Sequence, residues 1–580
     1  MGKWMLVNTL DQVEKVSAGL LSAKVLAVDT ETTGLDPLTS RLRLIQMAVE
    51  GSPTVIFDCF KLLPEAAVEL NAILTSPSIK IFQNAKFDLQ FLRSEKIFVS
   101  GWIFDTMLAA KLLRTSGGPR SAGLASLSEH YLDKVLSKEE QKSDFSSRLT
   151  TKQLDYAAKD AEVLLELRHK LLSELKKHHL IEVARLEFEC VYAVASLEYD
   201  GIYLDREKWA ALRDETEKMK EEALSELYPF IGYPALQLGL FGNHQPYGSN
   251  VNSNKQVLRM LNDNGIQVEN TSKHSLARHS QHPIVVSLLK YRYASKALSS
   301  FLHSIPKQIS KSTGRLHPQY SQIGAWSGRM SCGRPNIQQI PRGRAFRQCF
   351  KAPPGRKLII ADYSQIELRV IAQISGDSRM IEAYTNGEDL HKLTAALVLQ
   401  KEISVITKKE RQSAKAVNFG LVFGMGAAGL KSYAIGTYGV EMSLNEAEVF
   451  KKRFFAGYKG IEAWHEEIKH KKPGSSRTLA GRKHTYSDDS GMSGRYNTPV
   501  QGTAADILKN ALGMLYQALK DTNTSIVAVI HDEIVLECDE TIAQETALLL
   551  RNTMEAAGSR YMKDVPVVAE ASIAENWAEK

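Results

Sequence analysis

Short apolar runs and longer helical patterns alternate over the first third of the chain. The runs at 24–28, 41–49 and 54–58 are apolar and rich in β-branched residues, which predicts buried strands. The stretch at 151–179 repeats its apolar positions with helical spacing and predicts a long helix. Strands combined with helices in this way are typical of an α/β domain, which we predict over residues 1–185.

The rest of the chain predicts a helical arm followed by a mixed segment. Residues 186–318 are mostly helical in pattern, and a stretch rich in Gly, Asn and Ser at 238–254 predicts a mobile loop. Farther on, two segments are strand-like (357–364 and 525–538) and two are helical (408–423 and 504–520). We therefore predict a multi-domain protein of α/β and α+β class.

Composition and charge narrow this picture only a little. With 580 residues, 43% of them hydrophobic and 24% charged, the chain is typical of a globular protein with several domains. The formal net charge of +7 suits a polyanionic partner but is also common in proteins that have none. The five cysteines lack C-x-x-C spacing, which favours a packing role in a reducing compartment over disulfides or structural zinc.

Neither a membrane span of about 18 apolar residues nor a secretory signal is visible in the sequence. We expect a cytoplasmic or nucleoid-associated protein without a membrane partner, and a viral or organellar origin stays open.

Carboxylates at the end of the first strand suggest a metal site. Asp29 and Glu31 are two residues apart, so their side chains share one face of a strand. Alone, this pair is equally compatible with a polar strand end entering a glycine turn. Two further pairs, Asn84 with Asp88 and Tyr156 with Asp160, have the four-residue spacing of a helical face. Four carboxylates could hold two divalent cations, which prefer oxygen ligands.

A second set of carboxylates comes from the later strands. Asp362 ends one apolar run, and Asp532 interrupts two others at the tip of a predicted hairpin. Arg411, Lys415 and Phe419 follow each other at four-residue intervals and form one helical stripe. The stripe alone is more typical of a solvated basic face. Beside two aspartates it suits a nucleoside triphosphate, with cations on the phosphates and the ring against base or sugar.

These segments resemble the motifs of two known families. DTE at 29–31, NAKFD at 84–88 and YAAKD at 156–160 resemble the exonuclease motifs of the DnaQ-like superfamily. DYSQIELR, RQSAKAVNFGLVFG and HDE resemble motifs A, B and C of family A DNA polymerases, with further resemblance in SGRMSCGRPNIQQIP, DLHKLTA and YNTPVQGTAADI.

The resemblance spans roughly Val25 to Glu533. It implies an RNase H-like (DnaQ-like) 3′-5′ exonuclease domain at 1–185, followed by a right-hand polymerase domain with palm, fingers and thumb. We predict mostly thumb at 186–318 and palm with fingers at 319–580, the fingers lying at about 378–490.

The resemblance also implies roles for individual residues at the first site. It makes Asp29, Glu31, Asp88 and Asp160 metal ligands, and Tyr156 a catalytic residue that orients the attacking water. The substrate would be the 3′ end of single-stranded DNA. Two Mg²⁺ ions per active site are expected, with Mn²⁺ able to substitute.

At the second site the resemblance implies a larger set. Asp362, Asp532 and the backbone carbonyl of Tyr363 would be metal ligands, with Glu533 an accessory carboxylate and Lys415 a general acid. Glu367 would exclude a ribose 2′-OH. The nucleotide-binding residues would be Arg411, Lys415, Phe419, His391, Glu367, Gln365 and Phe423. The DNA-binding residues would be Arg329, Asn336, Gln338, Asn497, Gln501 and His531.

Some of these assignments carry further expectations. Arg329 and Gln501 would read minor-groove acceptors shared by all correct base pairs, and His531 would position the primer terminus. Phe423 stands where the family usually has Tyr, so stacking is retained and a hydroxyl is lost. On the thumb, Arg292, Lys296 and Lys307 could contact phosphates, although such residues are usually only solvated.

We therefore expect a DNA-directed DNA polymerase that extends a primer by two-metal phosphoryl transfer and proofreads, acting in replication or repair. Its partners would be primer–template DNA and dNTPs, and it would act as a monomer. Two alternatives are a stand-alone 3′ exonuclease, such as an RNA-trimming enzyme, and a non-catalytic clamp; reverse transcription remains only as a side activity. With no 5′-nuclease segment ahead of the first strand, nick translation is not expected.

Overall fold

The structure is a computed structural model that describes residues 4–137, 139–140, 143–231, 235–238, 244–247, 250–471, 474–486 and 491–580. Parts of the predicted loop, at 239–243 and 248–249, lie outside the described residues.

A six-stranded mixed sheet forms the first core. Its order is β1-β4-β3-β2-β5-β6, in which β3 runs antiparallel to both neighbours and the other adjacent strands are parallel. The strands are β1 (Trp4–Val7), β2 (Val25–Thr32), β3 (Leu42–Ala48), β4 (Thr54–Asp58), β5 (Ile79–Phe82) and β6 (Ile103–Asp105). β2 continues past the apolar run that predicted it, so it carries both Asp29 and Glu31.

Helices cover this sheet. They are α1 (Leu10–Leu21), α2 (Cys59–Leu62), α3 (Ala67–Thr75), α4 (Ala85–Ser94), α5 (Thr106–Leu113), α6 (Leu124–Leu132) and α7 (Thr151–Lys177). α7 begins with a capping box in which Thr150 and Gln153 bond each other's backbone N–H groups, which fixes where the helix starts. α7 packs against β2 and β3, so its first turns face the end of β2.

Helix α8 (Ile181–Asp200) belongs to both cores of the molecule. Val183 and Val191 pack into the first core, whereas Val194 and Leu197 pack into the second. The predicted domain boundary at 185 therefore falls inside a helix that both parts share.

The helical arm follows α8 and has a small core of its own, which includes Leu227, Val257, Leu261 and Leu288. A hairpin occupies part of the segment predicted as a loop. The elements are β7 (Ile202–Tyr203), α9 (Arg206–Ile231), β8 (Ala235–Leu238), β9 (His244–Tyr247), α10 (Asn254–Asp263), α11 (Lys273–Leu276), α12 (Pro283–Ala297) and β10 (Arg315–Leu316). Pairing of β10 with β7 closes the arm at its base.

A four-stranded antiparallel sheet forms the second core, in the order β16-β17-β13-β18. The remaining elements are β11 (Gln319–Ser321), β12 (Ser331–Gly333), α13 (Arg344–Arg347), β13 (Arg356–Tyr363), α14 (Ile366–Ser375), α15 (Ser378–Thr385), α16 (Leu390–Leu399), α17 (Lys408–Val422), α18 (Ala427–Tyr438), α19 (Leu444–Gly457), α20 (Lys459–His470), β14 (Ser475–Arg477), β15 (Lys483–Thr485), α21 (Met492–Leu519), β16 (Thr524–Ile530), β17 (Glu533–Asp539), α22 (Ala543–Ser559) and β18 (Ala569–Ala574). The predicted hairpin at 525–538 is β16 and β17.

Two long helices position the functional side chains of this part. α17 buries Ala414, Val417 and Leu421 on one side, which leaves its predicted cationic stripe on the other. α21 packs along α8 and α22 and is buried over most of its length.

All five cysteines are free and buried, as their predicted packing role requires. Over the part of the chain that the structure describes, no helix combines the length and the hydropathy needed to span a membrane.

Candidate active sites

The first predicted metal site is assembled at the end of β2. One carboxylate oxygen from each of Asp29, Glu31 and Asp160 lies within 4.8 Å of the other two. β2 supplies the first two and α7 supplies the third. Segments separated by more than a hundred residues thus converge, as the motif spacing suggested.

Asp88 borders this group from α4. Its side chain is 2% exposed, and its Oδ1 accepts a hydrogen bond of 2.7 Å from the Thr30 hydroxyl. The Asp88 charge contributes to raising the pKa of Asp29, so the two carboxylates are close. Three predicted ligands therefore form a tight cluster, and the fourth adjoins it.

The carboxyl groups of the cluster hold protons strongly when no cation is bound. Burial, followed by the charges of Asp88, Glu31 and Asp160, raises the pKa of Asp29 well above its usual value. Burial and neighbouring carboxylates raise the pKa of Glu31 to about 8, and burial raises those of Asp88 and Asp160 to about 8 and about 6. Such uncompensated oxygen donors fit a site for divalent cations.

Tyr156 lies one helical turn before Asp160 on α7, next to the cluster. Burial and the Asp160 charge raise the pKa of Tyr156, so it stays a proton donor. The prediction that Asn84 lies on a helical face is wrong. Asn84 has φ of 64° and directly precedes α4, so it is not part of the helix. The carboxylate of Asp105 accepts the N–H of Ala85, which fixes the start of the helix at Ala85.

The cluster opens into a cleft of about 1130 Å³. One wall comes from the first core and includes Glu31 and Tyr156, and the opposite wall comes from β11 and β12, with Arg334 at its edge. This volume exceeds that of a usual small-ligand pocket of about 300–1,000 Å³, so the cleft suits the end of a polymer.

The second carboxylate cluster lies where β13 meets the β16–β17 turn. Asp362 pairs with Glu533 across adjacent strands, and Asp532 precedes Glu533 in the turn. Burial raises the pKa of Asp532, and the Asp362 charge adds to the effect. The Tyr363 side chain is buried, with its hydroxyl bonded to the Met554 carbonyl at 2.9 Å.

A lysine that the sequence analysis did not single out bridges this cluster. The Nζ of Lys580 lies 2.7 Å from Asp362 Oδ2 and 2.6 Å from Glu533 Oε2. Glu533 is 4% exposed and also accepts from the indole N–H of Trp577, with Arg347 at 3.7 Å. The Lys580 ammonium thus lies between the carboxylates of Asp362 and Glu533. Carboxylates that hold one cation in this way are also suited to bind a metal ion.

The cationic stripe on α17 meets the N-terminal turn of α16. Arg411 Nε donates to Asp389 Oδ2 at 2.6 Å, and the ring of Phe419 lies 6.1 Å from that of His391. Burial, helped by the charges of Lys415 and Arg411, lowers the pKa of His391 to about 4, so the ring is neutral at pH 7. His391 is 3% exposed and bonds the Asn418 amide through Nδ1 at 2.9 Å.

Glu367 lies in the first turn of α14, directly after Gln365 and Ile366. Gln365 has φ of 55° and precedes the helix, with the Tyr384 hydroxyl 3.4 Å from its amide oxygen. Glu367 accepts a hydrogen bond from the guanidinium of Arg329. Two residues predicted for different partners, nucleotide and DNA, are therefore in direct contact.

The other predicted DNA-binding residues lie on α21, in the β16–β17 turn and in the segment that follows β12. Asn497 and Gln501 lie one helical turn apart on α21, and the exposed His531, in the turn, has φ of 59°. Gln338 donates to the Val529 carbonyl at 3.4 Å. Asn336 and Asn497 are half-buried, and their side-chain oxygens have no hydrogen-bond partner among the described residues.

Phe423 is half-buried at the C-terminal end of α17, directly before Gly424, which packs against Tyr496. On the arm, Arg292 is bonded to Thr271 and Asn254, so it stabilises the arm itself. Lys296 and Lys307 are exposed.

Two separate carboxylate clusters, in a chain that also carries a cationic stripe on α17, are typical of an enzyme that makes and breaks phosphodiester bonds. The family profile described as DNA polymerase family A matches residues 242–579, and one described as 3′-5′ exonuclease matches residues 5–176. The chain belongs to the family A DNA polymerases and carries both a polymerase and a 3′-5′ exonuclease domain.

Individual relatives agree with this assignment. DNA polymerase I of Aquifex aeolicus is 34% identical over 97% of this chain and 98% of its own length. DNA polymerase I of Pseudomonas aeruginosa is 30% identical over 97% of this chain, which spans 64% of that relative. The solved POL domain of Pol1 from M. smegmatis, in complex with DNA primer-template and dNTP, has a TM-score of 0.83 at 25% identity over 99% of each chain.

The predicted family, fold class and enzyme class are thus confirmed: the protein is a DNA-directed DNA polymerase with 3′-5′ exonuclease activity. Divalent metal ions are typical of both kinds of domain. The match across the second part of the chain argues against a stand-alone exonuclease.

Proposed function

We propose that the two carboxylate clusters divide the chemistry between them, the first removing a 3′ nucleotide and the second adding one. The observation that supports this division is the cationic stripe of α17. A triphosphate needs positive charge on its phosphates, and Arg411 and Lys415 lie within the part of the chain that matches the polymerase family, as do Asp362 and Asp532.

At the first site we assign Asp29, Glu31, Asp88 and Asp160 as the residues that hold two Mg²⁺ ions, which lower the pKa of water and stabilise the leaving oxygen. Tyr156 holds and orients the attacking water, since its hydroxyl remains protonated beside Asp160. The cleft between the two cores admits a single-stranded 3′ end.

At the second site Asp362, Asp532 and the carbonyl of Tyr363 would hold two Mg²⁺ ions, with Glu533 an accessory carboxylate. The ions would activate the primer 3′-OH and stabilise charge on pyrophosphate. Arg411 binds the triphosphate, and Lys415 donates a proton to the departing pyrophosphate. His391, neutral at this position, contributes a hydrogen bond and no charge.

Selection of the sugar and base is proposed for the residues around α14 and α17. Glu367 closes the space for a 2′-OH, and its bond to Arg329 holds it in place. Phe419 packs against the sugar, which disfavours dideoxynucleotides, while Gln365 and Phe423 border the nucleotide.

Primer–template DNA is proposed to lie across the second core. Arg329 and Gln501 read minor-groove acceptors, His531 positions the primer terminus, and Asn336 and Asn497 also contact the DNA. Gln338 completes the set. We propose domain limits of 1–185, 186–318 and 319–580, with fingers at about 378–490, and a monomer as the working unit.

Primer extension on a DNA template with Mg²⁺ tests the proposal. Asp362→Ala should abolish extension and leave 3′ degradation, whereas Asp29→Ala with Glu31→Ala should do the reverse. Comparison of dNTPs with rNTPs tests the gate at Glu367. Degradation that persists after loss of Asp29 and Glu31 would overturn the assignment of the first site.

A further inference from the structure

A buried network of four charged side chains lies between α8, α21 and the β14–β15 hairpin. Its members are Glu187, Arg482, Asp506 and Lys509, each at most 3% exposed. Two cations and two anions balance, so the network carries no net charge. Buried charges are tolerated when each is paired and hydrogen-bonded, and removal of one partner alone is costly.

Each charge in the network has well-defined partners. Lys509 Nζ donates to Glu187 Oε1 at 2.6 Å. Arg482 donates to Asp506 Oδ1 from two nitrogens, at 2.8 and 2.7 Å, and also to Glu187. The Thr478 hydroxyl donates to Asp506 Oδ2 at 2.6 Å. The ammonium and guanidinium are therefore fixed in both position and direction.

One bond leaves the network and reaches a tight turn of the polymerase domain. Lys509 Nζ donates to the carbonyl of Gly328 at 2.7 Å. Gly328 has φ of 86°, and a Cβ at this position would lie 2.7 Å from Arg482 Cδ. On the other side, a Cβ on Gly502 would lie 2.9 Å from the Ser327 carbonyl oxygen. The turn is thus clamped between Arg482, Lys509 and α21.

The clamped turn leads directly into Arg329. The carbonyl of Arg329 accepts from the N–H groups of Gly324 and Ala325, at 3.1 and 3.0 Å. Its side chain is 34% exposed and reaches Glu367. The peptide group that precedes Arg329 therefore depends on Lys509 for its orientation.

We propose that Lys509 and Arg482 are positioning residues that fix the turn at Gly328 and thereby aim Arg329 at the minor groove of the primer terminus. Glu187 accepts hydrogen bonds from both Lys509 and Arg482 and so holds these two cations in place. This inference rests on the proposed role of Arg329 as a minor-groove reader. Glycine has more backbone freedom than other residues, so the Gly328 peptide can rotate once the Lys509 bond is lost. The Arg329 side chain then no longer points in a fixed direction.

The test variant must keep the buried charge balanced. Glu187→Gln with Lys509→Met removes one charge of each sign and leaves the Arg482–Asp506 pair intact. The matched control is Arg315→Met with Glu537→Gln, which removes another buried ion pair of the second core, of 2.6 Å, whose arginine otherwise bonds Gly201. Degradation of single-stranded DNA reports the folding of each full-length variant.

The readout is kcat/KM for the next dNTP on primers that end in dG or in 3-deaza-dG, which lacks the minor-groove N3 acceptor. Wild type should prefer dG by about 10- to 100-fold, as expected for one oriented contact to a base. The Glu187/Lys509 variant should lose about tenfold on dG and less than twofold on 3-deaza-dG. The control should lower both values by the same factor.

Two outcomes separate the inference from its premise. If wild type and Arg329→Ala treat both primers alike, the proposed role of Arg329 is wrong. If Arg329→Ala abolishes the preference while the Glu187/Lys509 variant keeps it in full, the positioning role is overturned. Should Met at position 509 prevent folding, Lys509→Leu with Glu187→Gln also removes the donor to the Gly328 carbonyl and is judged by the same ratio.

Discussion

Replacement of Lys580 by Met tests how the polymerase site balances its negative charge. The Lys580 ammonium lies 2.7 Å from Asp362 and 2.6 Å from Glu533. A divalent ion that binds Asp362 must displace this ammonium. Removal of the ammonium leaves Asp362 without this counter-charge, while Glu533 keeps Arg347 at 3.7 Å, so we expect Lys580→Met to bind divalent ions more tightly than wild type.

The exposure of the three groups sets the size of the effect. Lys580 and Asp362 are 30% and 33% exposed, whereas Glu533 is 5% exposed. Partly exposed ion pairs contribute ~0.2–1 kcal/mol each, so the two pairs together contribute ~0.4–2 kcal/mol. Since about 1.4 kcal/mol corresponds to tenfold in affinity, the expected gain is about two- to thirtyfold.

Mn²⁺ binding measured by electron paramagnetic resonance gives the affinity directly. The Asp29→Ala/Glu31→Ala background removes binding at the exonuclease site, and the Mg²⁺ concentration for half-maximal extension should fall by the same factor. Lys563→Met, at an exposed lysine bonded to the Ser559 carbonyl, is the matched control. Mn²⁺ affinity in Lys580→Met equal to or below that of wild type would refute the reasoning.

Three further outcomes are expected. In metal-free protein the pKa of Glu31 is about 8 when folded and about 4.3 when unfolded, so the contribution of Glu31 to the free energy of unfolding is largest below pH ~4 and is lost as pH rises through 8. Glu31→Gln should therefore raise Tm in EDTA more at pH 8.5 than at pH 5 by calorimetry, and an equal change would contradict this. Glu367→Ala should lower the ratio of dNTP to rNTP incorporation by about tenfold or more in single-turnover assays. An unchanged ratio would show that Glu367 does not exclude the ribose 2′-OH. Arg411→Ala should raise KM for dNTP by about 10- to 100-fold, since charge-assisted bonds contribute ~1.5–3 kcal/mol, and should leave exonuclease rates unchanged. A smaller effect would mean that Arg411 bonds Asp389 and does not bind the triphosphate.

Much of the fold could be predicted because its elements are encoded locally. The strand that carries Asp29 and the hairpin around Asp532 are marked by short apolar runs, and the helix that carries Asp160 is marked by apolar residues at helical spacing. The convergence of these elements came from motif order and from the resemblance. Local periodicity by itself does not say which strand ends meet.

Other features had no local signal. Asn84 has helical spacing from Asp88, but its left-handed conformation is imposed by the bonds of Asp105 to the start of α4. The sequence indicates that Arg292 is a surface cation, but its guanidinium is hydrogen-bonded to Thr271 within the arm. α8 shows one continuous helical pattern and gives no sign that opposite faces enter different cores.

The two active sites handle the same electrostatic problem in different ways, and only the structure distinguishes them. The exonuclease carboxylates are crowded by one another and retain protons near neutral pH, so binding of a divalent ion there must release protons. In the polymerase site Lys580 supplies a positive charge, so binding there exchanges one cation for another. Uptake of metal by the exonuclease site should therefore tighten as pH rises from 6 to 9, whereas uptake by the polymerase site should depend on whether Lys580 is present. Calorimetric titration in two buffers of different ionisation enthalpy measures the protons released when metal binds. The variants Asp29→Ala/Glu31→Ala and Asp362→Ala each leave one site to be titrated. Equal proton release at both sites would contradict the proposed exchange of Lys580 for a metal ion.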